Sequence, residues 1–144
     1  MANEITVQTS LIVRVGNQLQ YNSLPSGFQD DLETTTPRGP LPGSVLISRW
    51  GTDIDLSQLD YPGWCHFHNQ DDTNAIRVGI WNGDQSEFYP FMRIKAGKGC
   101  VVPLDPLMNE EFSSTGTGTT GQLNTLRAIA ENADSYLFIG AFES

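Results

Sequence analysis

A chain of 144 residues, 38% hydrophobic and 17% charged, is long enough to bury a core as one domain without disulfides or a metal. Its composition is not that of a disordered segment. A net charge of −9, with only 8 Lys and Arg, excludes a surface built broadly for phosphate, so no nucleic-acid partner is expected. No apolar run approaches the roughly 20 residues of a membrane helix, so no membrane partner is expected either. Met1-Ala2-Asn3-Glu4 has neither the basic segment nor the apolar stretch of a secretory leader, and the expectation is a protein made and kept in the cytoplasm.

Ile5, Val7, Thr9, Leu11, Val13 and Val15 share one parity and Thr6, Gln8, Ser10 and Arg14 the other, the period of a half-buried strand. Gly16-Asn17 signals a turn, from which Leu19-Gln20-Tyr21 can pair back. Residues 33–43 contain Pro37, Pro40 and Pro42 and read as an extended loop or arm, too short to be a domain linker. Strand character resumes at Val45–Trp50, and Ile54 and Leu56 alternate with Asp53, Asp55 and Ser57.

Between 63 and 81, Cys65 and Phe67 alternate with Trp64, His66 and His68. After the polar run Asn69–Asn74, Ile76, Val78 and Ile80 alternate with Arg77, Gly79 and Trp81. Two alternating runs around a six-residue polar loop predict a β-hairpin. Setting His68 opposite Ala75 puts Phe67 against Ile76 and Cys65 against Val78 on one side, with His66 against Arg77 and Trp64 against Gly79 on the other. A slip of one residue would set apolar against polar throughout.

Phe88–Ile94 gives a further strand, a turn follows at Ala96–Gly99, and Cys100, Val102 and Leu104 continue beyond it. Residues 113–121, Ser-Ser-Thr-Gly-Thr-Gly-Thr-Thr-Gly, form a low-complexity loop. Thr125–Ala130 fits a strand or a helix face, and breaker-rich flanks favour the strand. Glu131–Asp134 is a turn before a last apolar strand, Ser135–Phe142. About eight short strands with regular turns, and 14 Gly and 8 Pro, predict an all-β chain: a single antiparallel β-sandwich or jelly-roll-like domain over 1–144. Cys65 and Cys100 are too few for a disulfide framework. They read as two free buried thiols, the alternative being one bridge between neighbouring strands.

His66 and His68, at i and i+2 on a strand near Asp71 and Asp72, superficially echo the His-x-His of cupin metal barrels. These are the only two histidines in the chain, so the ligand set lacks its later histidine, and Arg77 predicted opposite His66 disfavours a cation. No metal and no cofactor are expected. The Thr/Gly run at 114–121 lacks the Lys and the strand-to-helix setting of a phosphate loop. Cys65 has parity opposite to both imidazoles, so no nucleophile–base pair forms, and none of the 17 acids is marked out as a catalytic pair. Trp64, His66, His68 and Trp81 share one face of the predicted hairpin. Such a row of rings suits stacking on sugars, a protein interface, or packing beneath another layer of the domain.

Gly51-Thr52-Asp53-Ile54-Asp55-Leu56-Ser57-Gln58-Leu59 runs into Pro62-Gly63-Trp64-Cys65-His66-Phe67-His68-Asn69. Asp71, Thr73-Asn74, Ile76, Val78-Gly79, Phe88-Tyr89-Pro90 and Ile94-Lys95-Ala96-Gly97 follow. Over about residues 44–104 this pattern resembles small β-sandwich proteins from the structural modules of tailed bacteriophages. Lys98 stands where those proteins often carry glutamate, and Ile94 replaces their usual leucine. The resemblance implies a non-enzymatic virion protein, most simply a capsid decoration or cement protein, with a tail or neck component as the near alternative. It implies other virion proteins as partners, a homo-oligomer, and residence in the virion. The contact residues expected on that reading are Trp64, His66, His68, Arg77 and Trp81, with Pro37, Pro40 and Pro42 in the arm. A carbohydrate-binding or receptor-binding module, with a glycan as ligand, is the alternative.

Overall fold

The computed structural model describes residues 4–22, 26–31, 40–59, 62–83, 85–104, 112–113 and 124–143. Its contacts gather the chain into two compact units, Met1–Pro37 with Ser144, and Arg38–Glu143, where composition sets the expectation of one domain. Every regular element among the described residues is a β-strand.

The first unit holds two antiparallel pairs. β1 (Glu4–Thr9) pairs with β4 (Ser26–Asp31), and β2 (Ile12–Val15) with β3 (Gln18–Asn22). The long alternating run thus breaks at Ser10-Leu11 into two strands with different partners. Only the second of them pairs back across Gly16-Asn17, where Gly16 takes the left-handed φ of 59° that an L side chain resists.

The second unit is an antiparallel β-sandwich. Its strands are β5 (Leu41–Ile47), β6 (Thr52–Asp53), β7 (Pro62–Asn69), β8 (Ile76–Asn82), β9 (Glu87–Ile94), β10 (Gly99–Pro103), β11 (Phe112–Ser113), β12 (Asn124–Ala130) and β13 (Ser135–Glu143). One sheet has the order β10-β7-β13-β5. The other has β9-β8-β12, with β11 parallel and β6 antiparallel to β12. The antiparallel pairings are nested: β5 with β13, β6 with β12, β7 with β10, β8 with β9. The chain therefore runs outward and returns alongside itself, and that double strand is folded over into two layers.

Between the layers, Ile47, Cys65, Phe67, Leu137, Ile139 and Ala141 from the first sheet meet Ile76, Val78, Ile94, Leu126, Ala128 and Ala130 from the second. Ile54, Leu56, Leu59 and Leu104 close the ends. Each strand contributes alternate residues to this core, as the pleat requires.

The predicted hairpin over 63–81 does not form. β7 and β8 lie in different sheets, and 70–75 is a corner that carries the chain from one to the other. Phe67 pairs with Cys100 and Ile139, and Cys65 with Val102 and Ala141. Val78 pairs with Ala128 and Met92. The parity holds while the pairing fails, for a physical reason. Two strands facing each other across a core and two strands paired side by side both turn the same alternate residues inward.

Polar groups hold the corner. Asn69 is buried; its amide donates to the carbonyls of Asn74 (2.8 Å) and Ile94 (3.1 Å), and its side-chain oxygen accepts from the Asp71 amide at 3.0 Å. The Asp71 carboxylate accepts from the amides of Thr73 and Asn74. The backbone donors at Asn74 and Thr73 hold its pKa down at about 2. A lowered folded pKa means that this contribution is complete above the ordinary aspartate value, near 3.9, and is lost as pH falls through about 2. A carboxyl chemical-shift titration is expected to place the Asp71 midpoint near 2; a midpoint at the ordinary value would show that the corner bonds are absent in solution.

Both cysteines are free, with Cys65 buried and Cys100 half-buried. Burial pushes the Cys65 thiol up, well out of the range of a nucleophile. Cys100 Sγ lies 2.9 Å from Met92 Sδ.

Candidate functional site

The residues singled out in the sequence do not share one face. Trp64, His66 and His68 lie on the outer side of β7, whereas Arg77 and Trp81 lie on the outer side of β8 in the other sheet. His66 does not face Arg77; its neighbours in register are Val101 on β10 and Gly140 on β13. Pro42 lies in edge strand β5 and Pro40 just before it, while Pro37 lies outside the described residues. The loop 113–121 likewise falls outside them beyond Ser113.

The outer side of the β10-β7-β13-β5 sheet can be built from its registers, row by row. Leu46 lies opposite Tyr136; Ser44, Phe138, His68 and Gly99 form the next row; Pro42, Gly140, His66 and Val101 the third; Phe142, Trp64 and Pro103 the last. Not one of these residues is Asp, Glu, Lys or Arg, in a chain of net charge −9. Leu46, Tyr136 and Val101 are 48%, 55% and 42% exposed, far from the burial such side chains reach in a core.

Two glycines leave room for rings close to the backbone. A Cβ at Gly140 would sit 2.9 Å from the Phe138 ring and 3.3 Å from Pro40. A Cβ at Gly99 would sit 3.3 Å from Cδ2 of His68 and 2.6 Å from the carbonyl of Phe67. His66 meets Phe138 edge-on with centroids 5.9 Å apart, and the two imidazole centroids are 6.3 Å apart. Above β13, Ser44 Oγ donates to Gln70 Oε1 at 2.9 Å.

The opposite sheet presents different chemistry. Arg77 and Arg93 are cross-strand neighbours; Arg93 makes two hydrogen bonds to Glu131 (2.7 and 2.8 Å), and Arg77 Nε is 3.9 Å from the same carboxylate. Arg127 donates to Asp53 at 2.6 Å and lies 4.0 Å from the centroid of Trp81. Trp81 is thus covered by a guanidinium rather than offered beside Trp64.

Chemistry of other kinds finds few elements here. Cys65 and the imidazoles are on opposite sides of β7. Among the described residues no three His, Cys, Asp or Glu come together in a way that could hold a metal. Hollows of about 120 Å³ beside Leu41, Leu56 and Leu59, and about 310 Å³ beside Met92, Lys95 and Cys100, are lined by neither histidine.

The sequence reading missed Leu46, Val101, Tyr136, Phe138 and Phe142. Each has the outward parity of its strand, but which strands lie beside β7 depends on pairings that parity leaves open. Comparison with known proteins adds nothing to the geometry: no family model, no curated protein and no solved structure matches the chain.

Proposed function

We propose that this chain is a non-enzymatic structural protein of a tailed-phage particle, in the first instance a capsid decoration or cement protein, which binds neighbouring subunits through the outer face of the β10-β7-β13-β5 sheet. The observation that carries this reading is that, among the described residues of that face, none carries a charged side chain, in so acidic a chain. Solvated sheet faces ordinarily carry charge; depletion of charge together with exposed aromatics marks the centre of a protein interface.

Three further features support it. The β-sandwich with nested antiparallel pairings is compatible with the double-sheet architectures that capsid domains use. The edge strands β5, β10 and β9 each carry a proline, at Pro42, Pro103 and Pro90, which removes a ladder donor and discourages partners from adding a strand. Contact is thereby directed to faces. The sequence pattern over residues 44–104 resembles phage structural proteins. A tail or neck position would use the same face in the same way.

The test is co-sedimentation. Tagged chain supplied during particle production is expected to band with purified particles. Tyr136→Glu or Val101→Glu, which place a carboxylate at an exposed position of the face, should lower recovery at least about tenfold, a like-charge and desolvation penalty above about 1.4 kcal/mol. Chain that stays wholly in the soluble fraction, or variants that band as well as the parent, would reject the reading.

A glycan-binding role is the second reading, favoured by the adjacency in register of Trp64 and Phe142. Binding to a glycan array that disappears in Trp64→Ala, without particle association, would establish it instead.

A further inference from the structure

We infer that the first occupant of the uncharged face is the same face of a second copy of this chain. The inference rests on reading that face as a contact surface, though not on the identity of the particle.

The argument for a second copy is electrostatic. With 17 acids against 8 bases, most approaches between two copies bring carboxylates together. A two-fold contact sets each patch against itself, so a patch with net charge repels its own copy. The outer face of β10-β7-β13-β5 lacks that penalty, because the described residues of its four rows carry no charge. The opposite sheet presents Arg77, Arg93 and Arg127 with their acidic partners, and the prolines disfavour pairing along the edges. Phe138 packs beside Gly140 and His68 against Gly99, so the rings stay close to the sheet. From strand spacing and rise it measures about 19 by 24 Å, of order 450 Å² in plan. That is about half the ~800 Å² per partner of a standard interface, so the pair belongs at the weak end of specific contacts.

The imidazoles lie in the two middle rows. The groups that face them are Gly99, Val101 and Pro103 from β10, and Phe138, Gly140 and Phe142 from β13, with Pro42 and Ser44 beyond on β5. Among the described residues of these rows none is Asp, Glu, Lys or Arg, so the two imidazoles and their aromatic neighbours meet their own copies without like charges opposed.

Sedimentation velocity on the full chain tests the contact. At about 100 μM and about pH 8 the parent is expected as a dimer, and Tyr136→Glu, and independently Val101→Glu, should weaken association at least about tenfold while keeping the parent's far-ultraviolet circular dichroism. A monomeric parent, or face variants that dimerise as the parent does, would overturn the inference. A monomeric parent that still binds particles would sink this inference alone; a dimer that never bands with particles would sink the particle reading alone.

Discussion

Phe67→Ala is expected to lower the stability of the sandwich by about 3–5 kcal/mol, measured as a fall in the midpoint of reversible denaturant unfolding at unchanged slope. Phe67 is fully buried and is the largest of the fully buried side chains. It sits on β7, flanked in its own sheet by Cys100 and Ile139, and faces the second sheet across the core. Truncation removes an aromatic ring's worth of burial from the centre, where neighbours on both sides belong to hydrogen-bonded sheets and cannot close the gap. A loss that size is a large part of the 5–15 kcal/mol a domain typically has. His66→Ala, one residue along the same strand, serves as the control: its side chain is on the exposed outer face and its removal should leave the midpoint nearly unchanged. A loss below about 1 kcal/mol for Phe67→Ala would mean that this strand does not line the core.

The second large effect lies at the corner. Asn69→Ala should cost about 3 kcal/mol although no hydrophobic contact is removed. The substitution strips partners from the buried carbonyl of Ile94 and from the part-buried carbonyl of Asn74 and amide of Asp71, groups that water reaches only in part. Because Ile94 ends β9 and Asn74 precedes β8, the lost amide is the one that ties the end of a first-sheet strand to two strands of the second sheet. Hydrogen exchange should show faster opening of the amides around 70–75 before any change in the interior of β13. If Asn69→Ala unfolds at the parent's midpoint, the corner is held by something other than this side chain.

What could be read in the residues, and what could not, follows from the same geometry. Period-two alternation marks β7 and β8 and names Cys65, Phe67, Ile76 and Val78 as inward, because burial on one side of a pleat leaves a local signature, whereas Thr125–Ala130 fits a helix face as well and only its flanks favour the strand that β12 forms. Strand β4 left none: Ser26-Gly27-Phe28-Gln29-Asp30-Asp31 has a single large apolar residue, and its strand conformation depends on β1. The choice between hairpin and corner at 69–75 was equally closed to local reasoning, since both turn Cys65, Phe67, Ile76 and Val78 inward. What marks the corner is a hydrogen bond from Asn69 to the carbonyl of Ile94, 25 residues away. The candidate surface was half visible. Trp64, His66 and His68 were placed correctly on the exposed side of one strand, but their true neighbours Tyr136, Phe138 and Val101 come from strands far along the chain. Trp81 and Arg77 were assigned to that surface only because the hairpin was assumed.

The nested pairing of strands also dictates when the sandwich can form. Strand β13 lies between β7 and β5 in its sheet, so residues 41–47 have no lateral partner there until residues 135–143 have been made. During synthesis the earlier strands wait with open edges, and closure joins segments separated by about the whole length of the unit. Such topology folds slowly, over milliseconds to seconds, and only after translation of the second unit is complete. A ribosome that stalls before residue 135 therefore releases a chain whose first sheet lacks its middle, a substrate for chaperones and proteases rather than for assembly.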